Sequence, residues 1–153
     1  MKVKRLDRVA IMVRDIDKAI GFFSEKLGLN FRELSSIISE RDGVRCFTCH
    51  DAQLEIVSPI LPLRPNAPLP LRQRVELLKE KEMIIIGLMF EVEDPTETAR
   101  ELEQQGIRMQ HTYEKSHDYV SVGMDNFDQF VAHDKDTFGV VMGFGKYDLK
   151  EDS

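Results

Sequence analysis

The chain has 153 residues, of which 42% are hydrophobic and 31% are charged, a composition typical of a soluble globular protein. No apolar run approaches the ~20 residues that span a bilayer, and the formal net charge of −6 argues against nucleic acid or an anionic membrane as a partner. The basic N-terminus leads into an alternating strand pattern instead of the apolar core of an export signal, so we expect a cytoplasmic protein.

The first predicted elements are a strand and a helix joined by a tight turn. Val9, Ile11 and Val13 alternate with other residues and therefore share one face of a strand. From Ile16 onward, apolar residues recur at spacings of three and four, as on one face of a helix. Gly28 stands where a left-handed C-terminal cap is expected, so the pattern predicts that the helix ends there.

Three more strands are predicted in the first half of the chain, over residues 30–39, 44–50 and 53–59, with a turn at 40–43. If residues 51–52 form a two-residue hairpin, Thr48 pairs with Glu55. His50 then pairs with Gln53, and the four side chains share one face of the sheet.

A proline-rich stretch follows these strands. Residues 58–70 contain five of the six prolines, which excludes regular structure over this stretch and predicts a linker. Apolar residues among charged ones over residues 71–82 then predict a short amphipathic helix.

The second half of the chain repeats the pattern of the first. The segment 92–95 repeats the register of 13–16 at a distance of 79 residues, and Asp94 and Pro95 are suited to begin a helix that reaches residue 105. The strands predicted around this helix cover residues 84–90, 107–113, 119–131 and 139–144.

This internal duplication predicts an α+β fold built from two tandem βαβββ modules. The first module covers residues 5–59, a linker and short helix cover 60–82, the second module covers 83–145, and 146–153 form a polar tail. Each module would form a small curved sheet, and the two sheets together would form a cup. We also expect a homodimer, because open curved sheets leave edges and apolar faces to be covered.

Four segments of the chain carry a resemblance to a known family: residues 6–15, 53–57, 90–94 and 133–141. They resemble the vicinal oxygen chelate superfamily, which contains glyoxalase I, methylmalonyl-CoA epimerase, extradiol dioxygenases and bleomycin resistance proteins. In the second module the similarity is nearest to the methylmalonyl-CoA epimerases. The resemblance covers nearly the whole chain and implies a glyoxalase-like fold that binds a small-molecule ligand or substrate.

The resemblance also implies where metal-dependent members would hold a metal. Carried over position by position, the four ligand sites fall on Arg8, Glu55, Gly87 and Gly143. Arginine offers only donors and glycine has no side chain, so Glu55 alone has a group that binds a divalent cation. We therefore expect no metal and no other cofactor.

Arg8 and Glu55 are expected on neighbouring strands of the first module, facing the same interior. A carboxylate and a guanidinium form a bidentate pair that is far less costly to bury than either charge alone. Two interpretations remain open: the pair is a structural plug that neutralises Glu55, or Arg8 anchors an anionic or carbonyl group of a ligand. Gly87 and Gly143 would leave space opposite, which favours a ligand.

Other side chains are expected to line the same cup. Glu91 shares a strand face with Met89, and a carboxylate in an apolar pocket is suited to proton transfer. His50 would lie near the mouth as an acid or base, and a solvent-exposed position remains open for both Glu91 and His50. Met12 and Met89 would line an adaptable apolar pocket, and Thr48 would contact the ligand.

Three functions follow from this set of residues. The first is a metal-independent isomerase, epimerase or lyase that acts on a small carbonyl or acyl compound, with Glu55 or Glu91 as the base and Arg8 stabilising an enolate-like oxyanion. The second is a non-catalytic protein of the bleomycin resistance type that binds or sequesters a small molecule. The third is a divergent metalloenzyme with ligands at other positions, which the missing ligand residues disfavour.

Overall fold

The computed structural model describes residues 2–150, which form two compact units. We call residues 10–85 the N-terminal unit and residues 2–9 with 86–150 the C-terminal unit. The strands are β1 (Val3–Val13), β2 (Arg32–Glu33), β3 (Val44–Cys49), β4 (Leu54–Pro59), β5 (Met83–Val92), β6 (Met109–Ser116), β7 (Met124–Ala132) and β8 (Val141–Leu149). The helices are α1 (Ile16–Gly21), which continues as a π-helix (Phe22–Lys26), α2 (Ser36–Asp42), α3 (Leu69–Leu78), α4 (Pro95–Gln104) and the 3₁₀ turns Val120–Val122 and Asp134–Asp136.

The predicted α+β class is confirmed. Both halves of the chain contain a run of one strand, one helix and three strands, and the first run also contains α2. The module limits at 5–59 and 83–145 stay a prediction. Within residues 2–150, no helix combines the length and apolar character needed to cross a membrane.

In the N-terminal unit, α1 begins where the sequence predicts. The Asp15 carboxylate accepts a hydrogen bond of 3.1 Å from the Lys18 amide and so caps the first turn. Gly28 is left-handed at φ +72°, as expected after the helix. The strands follow the order β2-β3-β4 with antiparallel pairing, and Thr48 faces Glu55 as predicted.

The predicted strand over residues 30–39 is wrong. Only Arg32 and Glu33 form a strand, and residues 36–42 form α2. Gly43, at φ +77°, closes this helix because its amide donates 2.8 Å to the Ser39 carbonyl. The predicted turn at 40–43 is therefore the end of a helix.

The helix α3 begins and ends earlier than the predicted 71–82. Pro70 lies in its first turn, where a missing amide hydrogen leaves no hydrogen bond unmade. Arg14 donates 2.6 Å from Nε to the Leu78 carbonyl at the other end, which satisfies one of the last carbonyls of the helix. The prediction that residues 58–70 lack regular structure is wrong at both ends, because residues 58–59 belong to β4 and residues 69–70 to α3. It is confirmed for residues 60–68, which form neither helix nor strand.

In the C-terminal unit, the strands follow the order β5-β8-β7-β6, with β5 and β8 parallel and the other pairs antiparallel. The Asp94 carboxylate caps α4 by accepting 3.1 Å from the Glu97 amide, as the sequence predicts. Val92, Leu102, Ala132 and Phe144 form one cluster of the buried core of this unit.

Two predictions for the end of the chain are wrong. Residues 120–122 form a 3₁₀ turn instead of a strand, because Gly123 at φ +83° turns the chain before β7 begins. The predicted polar tail at 146–153 is strand β8 up to Leu149, and residues 151–153 lie outside the described part of the chain.

Candidate functional site

Arg8 is buried in the C-terminal unit, with 4% of its surface exposed. Its Nη1 donates a hydrogen bond of 2.6 Å to Oδ2 of Asp7, and its guanidinium lies 5.4 Å from the centre of the Phe127 ring. The sequence did not predict Asp7 as a partner, because neighbouring residues on a strand normally point to opposite faces.

The Asp7 carboxylate also accepts hydrogen bonds from two residues other than Arg8. Its Oδ1 accepts 3.0 Å from Arg5 Nη2 and 2.8 Å from the Tyr147 hydroxyl. Burial, and then the negative charge of Asp7, raise the pKa of Tyr147. Tyr147 was missed because it falls in the segment predicted to be a tail.

Glu91 lies at the edge of this group of charged residues. Its carboxylate is 3.4 Å from Arg5 Nε and 3.9 Å from Lys4 Nζ, and 27% of its side chain is exposed. Ion pairs at a partly solvated position hold a carboxylate in place and contribute little energy. Its role as a base stays a prediction.

The positions where relatives would hold a metal do not fit one in this chain. A Cβ placed on Gly143 would lie 2.5 Å from Met89 Sδ and 2.9 Å from Gln129 Oε1, and one placed on Gly87 would lie 3.0 Å from Met89 Cε. The space that the two glycines were expected to leave open is therefore filled by Met89 and Gln129. Within residues 2–150, no group of three or more His, Cys, Asp or Glu side chains is arranged to hold a metal ion.

Glu55 and Thr48 lie side by side in the N-terminal unit. They are direct cross-strand partners on β4 and β3, with 8% and 1% of their surfaces exposed. Cross-strand partners point their side chains to the same face of a sheet. The Thr48 hydroxyl makes no hydrogen bond to any described residue, which is rare for a buried polar group.

The face that carries Glu55 and Thr48 is the one opposite α1. Arg45 and Phe47 point to the other face of β3, where Arg45 Nη1 lies 3.7 Å from Asp17 of α1. Helix α1 therefore covers the far side of this sheet and leaves the face of Glu55 and Thr48 to other groups.

His50 and Gln53 close the hairpin instead of pairing within the strands. The Gln53 amide donates 3.1 Å to the His50 carbonyl, and Gln53 is left-handed at φ +54°. His50 is partly buried. Its acid or base role stays a prediction.

Met12 is buried, with 2% of its surface exposed. Its role in lining a ligand pocket stays a prediction. Arg8 and Glu55 belong to different compact units. Their pairing stays a prediction from the sequence.

Comparisons with known proteins give the family. The model of the Glyoxalase/Bleomycin resistance protein/Dioxygenase superfamily matches residues 5–143. No curated protein matches the chain. The resemblance found in the sequence is thus confirmed over most of its length.

Solved structures give the same fold. Methylmalonyl-CoA epimerase from Mycobacterium tuberculosis is 22% identical with a TM-score of 0.67, over 94% of this chain and 87% of that chain. A hypothetical protein from Bacillus halodurans is 16% identical with a TM-score of 0.66, over 97% and 96%. A variant of Streptomyces coelicolor methylmalonyl-CoA epimerase in complex with 2-nitronate-propionyl-CoA is 18% identical with a TM-score of 0.66, over 94% and 97%.

Identities this low show that the fold is shared and do not show which activity this chain has. The match to the family model covers well over half of the chain and shows its membership. The chain belongs to the Glyoxalase/Bleomycin resistance protein/Dioxygenase superfamily.

Proposed function

We propose that this chain is a metal-independent isomerase, epimerase or lyase that acts on a small carbonyl or acyl compound, with Glu55 as the base. The observation that carries the proposal is the pair of Glu55 and Thr48, in which a buried carboxylate stands beside a buried hydroxyl that makes no hydrogen bond to any residue between 2 and 150. A ligand in contact with Thr48 would supply that partner and would lie next to the carboxylate.

The proposed chemistry is proton transfer at carbon. Glu55 takes the proton from the carbon next to a carbonyl, and the carbonyl oxygen becomes the oxyanion of an enolate. Delivery of a proton to the opposite face of that carbon gives the epimer, and delivery to another atom gives the isomer, whereas loss of a leaving group from the carbon next to the enolate gives the product of a lyase. Arg8 is proposed, from its alignment alone, to stabilise the oxyanion.

Two further observations support this choice. Glu91 is partly exposed whereas Glu55 is buried, and a buried carboxylate is the better candidate for the base. Several structures of similar fold are methylmalonyl-CoA epimerases, whose name describes an inversion at a carbon next to a carbonyl.

The test is hydrogen exchange in D2O. The purified protein is incubated with methylmalonyl-CoA and with a panel of other 2-substituted acyl thioesters and 2-oxo acids, and loss of the proton next to the carbonyl is followed by NMR. We expect enzyme-dependent exchange that persists in EDTA and is lost in Glu55→Gln, while Glu93→Gln, a change at an exposed glutamate, leaves it unchanged. Exchange that is equal in wild type and Glu55→Gln would overturn the assignment of the base.

The binding alternative predicts a different result in the same experiment. A protein that sequesters its ligand would bind members of the panel without exchanging their protons. A ligand that is bound without reaction would also supply a hydrogen-bond partner for the Thr48 hydroxyl, which makes no hydrogen bond to a described residue. Saturable binding without proton exchange would therefore favour the binding function.

We also propose that the protein is a cytoplasmic homodimer. Exposed apolar side chains in the N-terminal unit support the dimer, because a second subunit would cover them. They include Ile37, Leu61 and Leu69, with 77%, 61% and 64% exposure. Light scattering at micromolar concentration that finds only a 17.7 kDa species would contradict the dimer.

A further inference from the structure

Arg32 has no partner among the charged residues around it. It lies on β2 and is partly buried, and its side chain makes no hydrogen bond or ion pair with any residue between 2 and 150. The neighbouring Glu33 behaves differently, because it accepts 2.8 Å from Arg45 Nε on the face that α1 covers. Arginines at partly buried positions bury the aliphatic stem and keep the guanidinium in water, where it is available to an anionic group.

The strand register places Arg32 beside the proposed site. Arg32 is the direct cross-strand partner of Thr48, which is in turn the partner of Glu55. The three side chains therefore form one row on the face opposite α1, and we call them the Arg32 row. Antiparallel partners have Cα atoms roughly 5 Å apart, so the ends of the row are about 10 Å apart, within the span of a small ligand and a long arginine side chain.

The row contains three different chemical groups in order. Arg32 supplies a cation with several donors, Thr48 supplies a buried hydroxyl with no hydrogen bond to a described residue, and Glu55 supplies a carboxylate. The donors at one end are suited to an oxyanion, and a carboxylate accepts an arginine fork through two parallel hydrogen bonds. The base lies at the other end.

We infer that Arg32 and the Thr48 hydroxyl bind a carboxylate of the substrate, and that the substrate is a small carboxylic acid whose acidic C–H is presented to Glu55. The inference rests on the proposed function, because Glu55 is taken to be the base. Arg32 then determines which substrates bind, a role that membership of the superfamily does not assign to this residue.

The charges on the row favour a carboxylate over a phosphate. Arg32 provides one positive charge, and Glu55 provides a negative charge on the same face. A bound monoanion leaves the row with one net negative charge, whereas a dianion would leave two next to Glu55, which costs more free energy. The observations thus point to a single carboxylate.

The test compares two nitro compounds that differ in this carboxylate. 3-Nitropropionate has an acidic carbon and a carboxylate, and 1-nitropropane has the acidic carbon alone. Binding of each is measured by calorimetry to the full-length wild type, to Arg32→Gln and to the control Arg100→Gln, which removes an exposed arginine paired with Glu97. We expect Arg32→Gln to weaken 3-nitropropionate roughly 10- to 100-fold, as loss of a charged hydrogen bond does, and to leave 1-nitropropane unchanged.

A second variant separates binding from folding. Thr48→Val removes the buried hydroxyl at nearly constant volume, so the free protein should unfold at higher urea concentration because an unsatisfied polar group is gone. The same variant should bind 3-nitropropionate less tightly. A residue with only a structural role would not move the two measurements in opposite directions.

The results distinguish the two proposals. Equal binding of 3-nitropropionate by wild type and Arg32→Gln, or equal losses for both nitro compounds, would overturn the carboxylate site even if Glu55-dependent exchange is found. Selective loss of 3-nitropropionate in Arg32→Gln supports the site, and it does so even if Glu55→Gln shows that the proposed proton transfer is wrong.

Discussion

Tyr147 donates a hydrogen bond of 2.8 Å from its hydroxyl to the carboxylate of Asp7, a residue 140 positions away in the sequence. The Asp7 carboxylate is nearly buried, with 5% of its side chain exposed, and it also accepts a hydrogen bond from Arg8. The Tyr147 hydroxyl therefore lies in poorly solvated surroundings beside a negative charge. Burial contributes most to the resulting rise in the pKa of Tyr147, and the charge of Asp7 adds to it.

The first prediction concerns alkaline stability. A tyrosine whose folded pKa is raised stabilises the fold fully below its usual value of about 10, and this contribution is lost as pH rises toward the folded pKa. Tyr147→Phe should cost about 1.5 to 3 kcal/mol at pH ~7 through the lost hydrogen bond to a charged acceptor. It should also lessen the fall in stability above pH ~10. Urea unfolding across this range measures both effects, and Tyr119→Phe, which removes a neutral hydroxyl contact with Tyr113, serves as the control.

The second prediction concerns the buried pair of Arg8 and Asp7. Arg8→Met should destabilise the protein by about 3 kcal/mol, because a buried carboxylate loses one of its charged partners. Addition of Asp7→Asn should recover much of this loss, since the charge that required compensation is gone. Urea unfolding of both single variants and the double variant gives the coupling energy, and additive effects would show that the 2.6 Å contact contributes little.

A parallel cycle tests the pairing of Arg8 with Glu55 that the sequence predicts. If the two residues form a pair that anchors a ligand, Arg8→Met with Glu55→Gln should be more stable than Arg8→Met alone and should bind no ligand. A double variant that keeps full binding or activity would make the pair a structural plug. A coupling energy of zero between the two substitutions would show that Arg8 and Glu55 do not interact.

The third prediction concerns acid stability at a surface ion pair. Arg108 donates 3.0 Å from Nε and 3.0 Å from Nη2 to Asp136, and its amide donates 2.9 Å to the same carboxylate. The side-chain hydrogen bonds of Arg108 lower the pKa of Asp136 to about 2. A lowered pKa stabilises the fold above the usual value of 3.8, and the contribution is lost as pH falls toward about 2.

Asp136→Asn should therefore flatten the loss of stability between about pH 4 and pH 2. Urea unfolding at a series of acidic pH values measures the slope, and NMR titration of the wild type measures the pKa directly. Asp134→Asn, a change at an acid of the same turn, is the matched control. Identical slopes for wild type and Asp136→Asn would contradict the prediction.

Local patterns were sufficient for much of the fold. The caps at Asp15 and Asp94 depend on residues three positions apart, and the register of Thr48 with Glu55 depends on a short hairpin, so each could be predicted from a few neighbouring residues. Helix α2 was missed because its Gly43 cap looks like a strand turn when the sequence is read alone.

The candidate site depends on contacts that no local pattern contains. Asp7 as a partner of Arg8 contradicts simple strand alternation, and Tyr147 reaches it from the other end of the chain. Arg32 becomes informative only once the structure shows that nothing within the described residues offsets its charge. A sequence shows which groups are present, whereas their partners are set by tertiary packing.

The last prediction concerns Met89, which occupies the space beside Gly87 and Gly143, the two glycines onto which the sequence resemblance carries the family's metal-ligand positions. Gly143→Ala should destabilise the protein by about 1 to 3 kcal/mol, because the new Cβ would lie 2.5 Å from Met89 Sδ and 2.9 Å from Gln129 Oε1. Met89→Ala in the same chain should recover part of the loss by removing the sulfur. Gly21→Ala is the matched control, since nothing lies within 4 Å of that Cβ and its φ of −57° is helical, so it should stabilise by roughly 0.5 to 1 kcal/mol. Urea unfolding of the wild type and the three variants tests this: if Gly143→Ala destabilises no more than Gly21→Ala, Met89 does not fill that space, and the position remains open to a ligand.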